Sequence, residues 1–106
     1  MNILFVCTMN RGRSATAEKL FSNNQIHVAR SAGTHTKARR RLTQSKVRWA
    51  NLVVVFEKNH EKAVRRIYPW EKTVICLDIP DKFKFMANDL VDMIRVRLYN
   101  ITNIFV

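Results

Sequence analysis

Asn2-Ile3-Leu4-Phe5-Val6-Cys7-Thr8-Met9-Asn10-Arg11-Gly12-Arg13-Ser14 decides the reading of this chain. The first half is an apolar run, and the second half is short, polar and basic. Residues 2–7 read as a buried strand, because they lack the polar alternation of a half-exposed one. Residues 14–21 are good helix formers with Ala17, Leu20 and Phe21 on one side. Ser14 is the expected helix start, since its hydroxyl can cap free amides. The stretch is therefore strand, tight loop, helix.

The same alternation continues outward. Residues 26–30 are the expected second strand, followed by a turn at Ser31-Ala32-Gly33-Thr34 in which Gly33 offers positive φ. Residues 43–50 form a short helix capped by Thr43. Residues 52–56 are Val-rich and read as a fully buried strand. Residues 58–68 form a helix that Pro69 ends. Residues 73–77 are a fourth strand, 78–87 a loop, and 88–103 a last helix. That helix is capped by Asn88 and packs through Leu90, Ile94, Leu98 and Ile101. Strands alternating with helices predict an α/β three-layer sandwich: a four-stranded parallel sheet with helices on both faces. Trp49, Phe56 and Trp70 are expected in core or edge packing.

Composition bounds the alternatives. The chain has 106 residues, 47% hydrophobic and 25% charged, with two glycines and two prolines. This fits one globular domain over residues 1–106 and excludes low-complexity and fibrous classes. Two cysteines do not make a disulfide scaffold. The longest apolar runs, residues 3–7 and 52–56, are far short of the ~20 residues of a membrane span. Residues 3–7 are too short for a signal h-region. The expected setting is soluble, reducing and cytoplasmic, with no membrane partner.

The net charge is +11, from 19 Lys and Arg against 8 Asp and Glu. Ten of the cations lie between Lys37 and Arg66, opposed only by Glu57 and Glu61. Such a field steers anions, and an acidic partner is a natural expectation. Nucleic acid is not the expected partner: Arg39-Arg40-Arg41 with Lys46 and Arg48 come with no RRM, KH or zinc-finger signature.

In parallel sheets ligands bind beyond the carboxyl ends of strands, which places the loop after Cys7 at the expected site. A tight loop entering a helix turns successive N–H groups inward as an anion nest, and the helix end adds positive charge. Arg13 supplies a planar fork for two phosphate oxygens. Cys7 lies beneath, where these charges favour the thiolate, a nucleophile for in-line attack on phosphorus. Thr8, Met9, Asn10, Arg11, Gly12 and Ser14 complete the expected anion-binding loop. His27, His35 and His60 share no metal-ligand spacing with the cysteines, so no metal site is expected.

These residues resemble a known family. Phe5-Val6-Cys7, the Cys-x5-Arg-Ser spacing and Ala17-Glu18 are similar to the start of the low-molecular-weight protein tyrosine phosphatases. Ser31-Ala32-Gly33-Thr34, residues 49–55 and Asp78-Ile79-Pro80-Asp81 continue the likeness in order, nearest a short bacterial branch. The resemblance implies hydrolysis of phosphotyrosine or a small aryl phosphate through a phosphocysteine, without metal or other cofactor. It carries the general acid to Asp81 and a stacking wall to Phe83, from the spacing Asp81-Lys82-Phe83. It carries a loop-shaping role to Asn10 and donation to sulfur to Ser14. The chain departs from the pattern in three places: Pro80 precedes Asp81 instead of following it, Met9 replaces a glycine, and Gly12 replaces a second cysteine. Met9 must therefore meet the backbone demands of the nest, at a cost of order 1 kcal/mol if its φ is positive. Asp78 remains a rival acid on the same sheet edge.

Three other readings share parts of this pattern. An arsenate reductase needs further thiols, and only Cys76 is present. A phosphocarrier with a loop cysteine commonly lacks an arginine at the position of Arg13. A basic anion- or nucleic-acid-binding module with a vestigial loop accounts for the charge but not for the Cys-Arg spacing.

Overall fold

The computed structural model describes residues 1–106. The elements run β1 (Asn2–Cys7), α1 (Arg13–Leu20), β2 (Val28–Gly33), α2 (Gln44–Trp49), β3 (Leu52–Val55), α3 (Lys58–Ile67), β4 (Thr73–Cys76) and α4 (Asn88–Thr102). All strand pairs are parallel, and the sheet order is β2-β1-β3-β4. This is the expected α/β sandwich.

Alternate side chains of the central strands serve two cores. Ile3 and Phe5 of β1, with Leu52 and Val54 of β3, pack against Ala17 of α1 and Leu90, Ile94 and Leu98 of α4. Leu4 and Val6, with Val53 and Val55, pack on the other face against Val47 of α2 and Val64 of α3. This double burial explains why both strands read as unbroken apolar runs. Because α1 leads from β1 out to β2 on one face and α3 leads from β3 out to β4 on the other, the connections diverge between β1 and β3. The crevice for a ligand therefore opens at the carboxyl end of β1.

Several local expectations shift. The second strand is not 26–30 with a turn after it; it is 28–33, and Ser31, Ala32 and Gly33 are its buried end. The reason is register: β2 pairs residue for residue along the whole of β1, ending with Gly33 opposite Cys7. Gly33 is not at positive φ. It is required by close approach instead, since a Cβ there would lie 2.5 Å from the Thr8 carbonyl oxygen and 2.6 Å from Ala38 Cβ. Gly12 precedes α1 as its cap, and Ser14 is inside the helix with its hydroxyl engaged elsewhere. Asn88 is likewise the first helical residue, not the cap, which is Ala87. Thr43 caps α2 as expected, accepting from the Lys46 amide. On α4, Leu90, Ile94 and Leu98 are buried but Ile101 is 51% exposed; Ile104, beyond the helix, completes that core. Phe56 is buried, Trp49 is stacked beneath the Arg30 guanidinium at 4.2 Å, and Trp70 is exposed against Tyr68.

Gly33 and Gly12 therefore differ in tolerance. Gly33→Ala drives a methyl group into loop backbone and is expected to cost on the order of 1–3 kcal/mol in urea unfolding. Gly12→Ala, whose Cβ would meet its nearest atom at an ordinary 3.5 Å, is expected to stay within ~0.5 kcal/mol of wild type. Equal midpoints for the two variants would refute the close-approach account.

Candidate active site

The chain turns from β1 into α1 through residues 8–12, and one residue absorbs the backbone demand of that turn. Asn10 has φ 57°, while Met9 does not enter the left-handed region. Asparagine is among the few side chains that occupy that region readily. The cost anticipated for Met9 thus falls on a residue suited to it. Asn10 is fully buried, and its Nδ2 donates to Ser14 Oγ at 2.8 Å. Ser14 Oγ lies 2.9 Å from Cys7 Sγ. The amide can only donate, so Ser14 accepts from Asn10 and keeps its own proton for the sulfur. That is the hydrogen bond a thiolate accepts.

The loop is held from outside by residues 34–39. The amides of Thr34, His35 and Arg39 donate to the carbonyls of Cys7, Thr8 and Met9, and Arg39 Nε donates to that of Asn10. Carbonyls therefore face outward and amides inward. None of the N–H groups from Met9 to Ser14 donates to a carbonyl or side chain of the protein. Unoccupied amides at a helix amino end are the donors of an anion site.

Arg13 is 1% exposed. Its Nη1 donates to Glu57 Oε2 at 2.6 Å and to the Ile79 carbonyl at 2.8 Å. Its Nε has no hydrogen-bond partner and lies 3.8 Å from Asp81 Oδ1. One nitrogen is thus fixed by protein while another donor stands open beside a cavity of about 340 Å³. Cys7, Met9, Arg11, Gly12, Arg13, Asp81 and Phe83 line this cavity together with Lys84 and Phe85. The structure therefore brings together residues that are more than sixty positions apart. Asp78 does not reach the cavity; it is exposed, at φ 56°, and its carbonyl accepts from Arg97, as does that of Leu77. At the far end of the same loop, the Met86 amide donates to Thr16 Oγ1.

Thr8, Asn10 and Ser14, expected to bind the anion, do not line the cavity. Their side chains shape the loop from behind. Thr8 Oγ1 lies 2.9 Å from His60 Nε2, and the Glu57 amide donates to His60 Nδ1 at 3.0 Å. With Nδ1 accepting, Nε2 carries the proton and donates to Thr8. His60 is fully buried, and its pKa is lowered to about 4, chiefly by that burial and then by the Arg13 charge; Glu57 and Asp81 oppose the shift. One turn at the start of α3 thus braces the loop twice, Glu57 through Arg13 and His60 through Thr8.

Glu57 and His60 had no role in the sequence reading. The available signal was position: an acidic residue directly after a buried strand, on the same sheet edge as Cys7, with a histidine three places on. That spacing forms a capping box. His35 approaches the loop only through its backbone. No three His, Cys, Asp or Glu side chains are grouped to hold a metal ion, and no helix is long and apolar enough to cross a membrane.

Cys76 cannot reach Cys7. It is registered with Val55 on β3, two strands from β1, and packs in the opposite core. Two strand spacings are about 10 Å, beyond the ~7 Å limit for a disulfide.

With this geometry in view, the chain has the fold of low-molecular-weight protein tyrosine phosphatases. The tyrosine phosphatase Wzb from Escherichia coli K30, solved with phosphate, superposes with a TM-score of 0.76 at 18% identity over 96% of each chain. Vibrio vulnificus Wzb, solved with benzylphosphonate, matches at 0.67 and 22% identity, over 91% of this chain and 90% of that one. The YwlE arginine phosphatase from Geobacillus stearothermophilus matches at 0.69 and 20% identity, over 96% and 92%. At these identities the likeness is one of fold. No protein-family model and no curated protein sequence matches the chain.

Two outcomes are expected. Because folded His60 resists protonation, the unfolded chain binds more protons between pH 6.5 and 4. Its contribution to stability is complete above 6.5 and is lost as pH falls through that window. From pH 7 to 5 wild type should lose about 2 kcal/mol from this group in urea unfolding, and His60→Gln should lack that increment. An unchanged pH dependence in the variant would remove the neutral-imidazole assignment. Separately, sustained peroxide should carry Cys7 to sulfinic acid, with no resolving thiol to intercept it. Recovery of Cys7 reactivity with dithiothreitol would contradict this.

Proposed function

We propose that the protein is a cysteine-dependent phosphomonoester hydrolase, with phosphotyrosine in proteins or a small aryl phosphate as substrate. The observation that carries this reading is the pairing of Cys7 with Ser14 beneath unoccupied amides and beside an open donor of a buried arginine. Each part answers a need of the reaction. Cys7 Sγ attacks phosphorus as the bond to the leaving oxygen breaks, giving phosphocysteine. The loop amides and Arg13 stabilise charge on the equatorial oxygens. Asp81 donates a proton to the departing phenolic oxygen. It then takes one from the water that attacks phosphocysteine, releasing inorganic phosphate and the thiolate. Phe83 offers a ring face to the substrate. No metal or other cofactor enters these steps.

Related folds solved with phosphate and with benzylphosphonate support an anionic phosphoryl or benzyl-type ligand here. Arginine phosphatase chemistry occurs on the same fold. Against it stands Arg11 on the cavity wall, since a phosphoarginine side chain brings its own cation to that position.

The test is turnover of p-nitrophenyl phosphate at mildly acidic pH. Cys7→Ser should abolish it. Asp81→Asn should lower kcat by about 10²-fold or more, and Asp78→Asn should leave it within a few fold. No Cys7-dependent turnover by wild type sinks the phosphatase reading; equal losses in the two aspartate variants sink the assignment of the acid.

A further inference from the structure

A second cavity, of about 580 Å³, opens between α1 and the start of β2. It shares Arg11 and Phe85 with the cavity over Cys7, so the two concavities meet along one rim. Its floor includes Ala15 and Phe21, and its sides carry Arg11, Lys19, Arg39 and Arg40 against a single carboxylate, Glu18. Glu18 is already engaged by Arg40 at 3.2 Å and by the Ser31 hydroxyl. Arg11, Lys19 and Arg39 have no acidic partner. The groove thus presents unpaired cations over an apolar floor, continuous with the place where a phosphoryl group would sit.

We propose that this groove binds carboxylates flanking the phosphorylated residue, so that the protein selects acidic phosphoprotein segments; this rests on the phosphatase reading above. The occupant must satisfy both cavities at once. It must offer a phosphomonoester to Cys7 and, a few residues along the same chain, negative charge to Lys19, with Arg11 and Arg39 on the same groove. The internal phosphates of a nucleic acid are diesters and offer the first only at a chain end. An acidic peptide supplies both, and an apolar side chain beside its carboxylates covers the floor. Exposed cations individually contribute little, but several along one groove add up, and their joint effect weakens with salt.

The experiment measures binding and turnover separately. Cys7→Ser protein is titrated into two fluorescent phosphotyrosine peptides of equal length, one flanked by Asp and Glu, the other by Lys. Fluorescence anisotropy at low ionic strength should give at least about tenfold tighter binding of the acidic peptide, declining as salt rises. Adding Lys19→Glu and Arg40→Gln should erase most of that preference. In a wild-type background the same two changes should leave p-nitrophenyl phosphate turnover within about twofold, which also shows that the variant folds. Equal affinity for the two peptides, or an unaltered preference in the variant, overturns the proposal. So does an unphosphorylated oligonucleotide that displaces the acidic peptide as well as the peptide displaces itself. Absence of p-nitrophenyl phosphate turnover by wild type defeats the phosphatase reading instead, and the anisotropy comparison still decides what the groove binds.

Discussion

The buried guanidinium of Arg13 is the constraint around which the carboxyl edge of the sheet is arranged. A cation removed from water costs several kcal/mol unless it is paired and hydrogen-bonded. Here Glu57 and the Ile79 carbonyl satisfy one nitrogen, while Nε has no hydrogen-bond partner and stands 3.8 Å from the Asp81 carboxylate. The arrangement is incomplete at a residue that lines the same cavity as Cys7. On the proposed reading, an anion entering there would meet a donor already desolvated and fixed, so little reorganisation would be needed when charge develops on it. The same placement sets demands elsewhere: Glu57 must follow β3 directly, and Ile79 must follow β4 closely enough to offer its carbonyl.

The sheet meets those demands through its double burial. Because β1 and β3 are packed on both faces, their ends are fixed relative to one another by two cores. The loop after β1, the cap after β3 and the segment after β4 therefore converge with no disulfide between them. Gly33 marks how close this convergence is, since even a methyl group there would collide with the loop backbone.

Much of this was legible in the sequence, for identifiable reasons. Unbroken apolar runs at 3–7 and 52–55 exposed the two central strands, and the Cys7–Arg13 spacing drew attention to the loop that turns from β1 into α1. What was not legible depended on register. Gly33 looked like a turn residue because sequence shows flexibility, whereas proximity to Thr8 appears only once β2 is laid beside β1. Ser14 looked like a cap because its type favours that position, but a nearby sulfur and Asn10 compete for its hydroxyl. Glu57 and His60 looked like ordinary charges and a stray histidine, since their partners Arg13 and Thr8 are more than forty residues away. The choice between Asp81 and Asp78 as the residue near the cavity likewise needed the path of the chain after β4.

That path has one more consequence. Arg97 holds the stem of the 78–87 segment through two carbonyls, and Thr16 holds its other end at Met86. The span carrying Asp81 and Phe83 is moored at both banks like a short footbridge. Between those two ends, residues 79–85 cross the mouth of the cavity with Asp81 and Phe83 on its wall. The length of chain between the two moorings, and not only the side chains on it, therefore sets where Asp81 and Phe83 stand over the cavity.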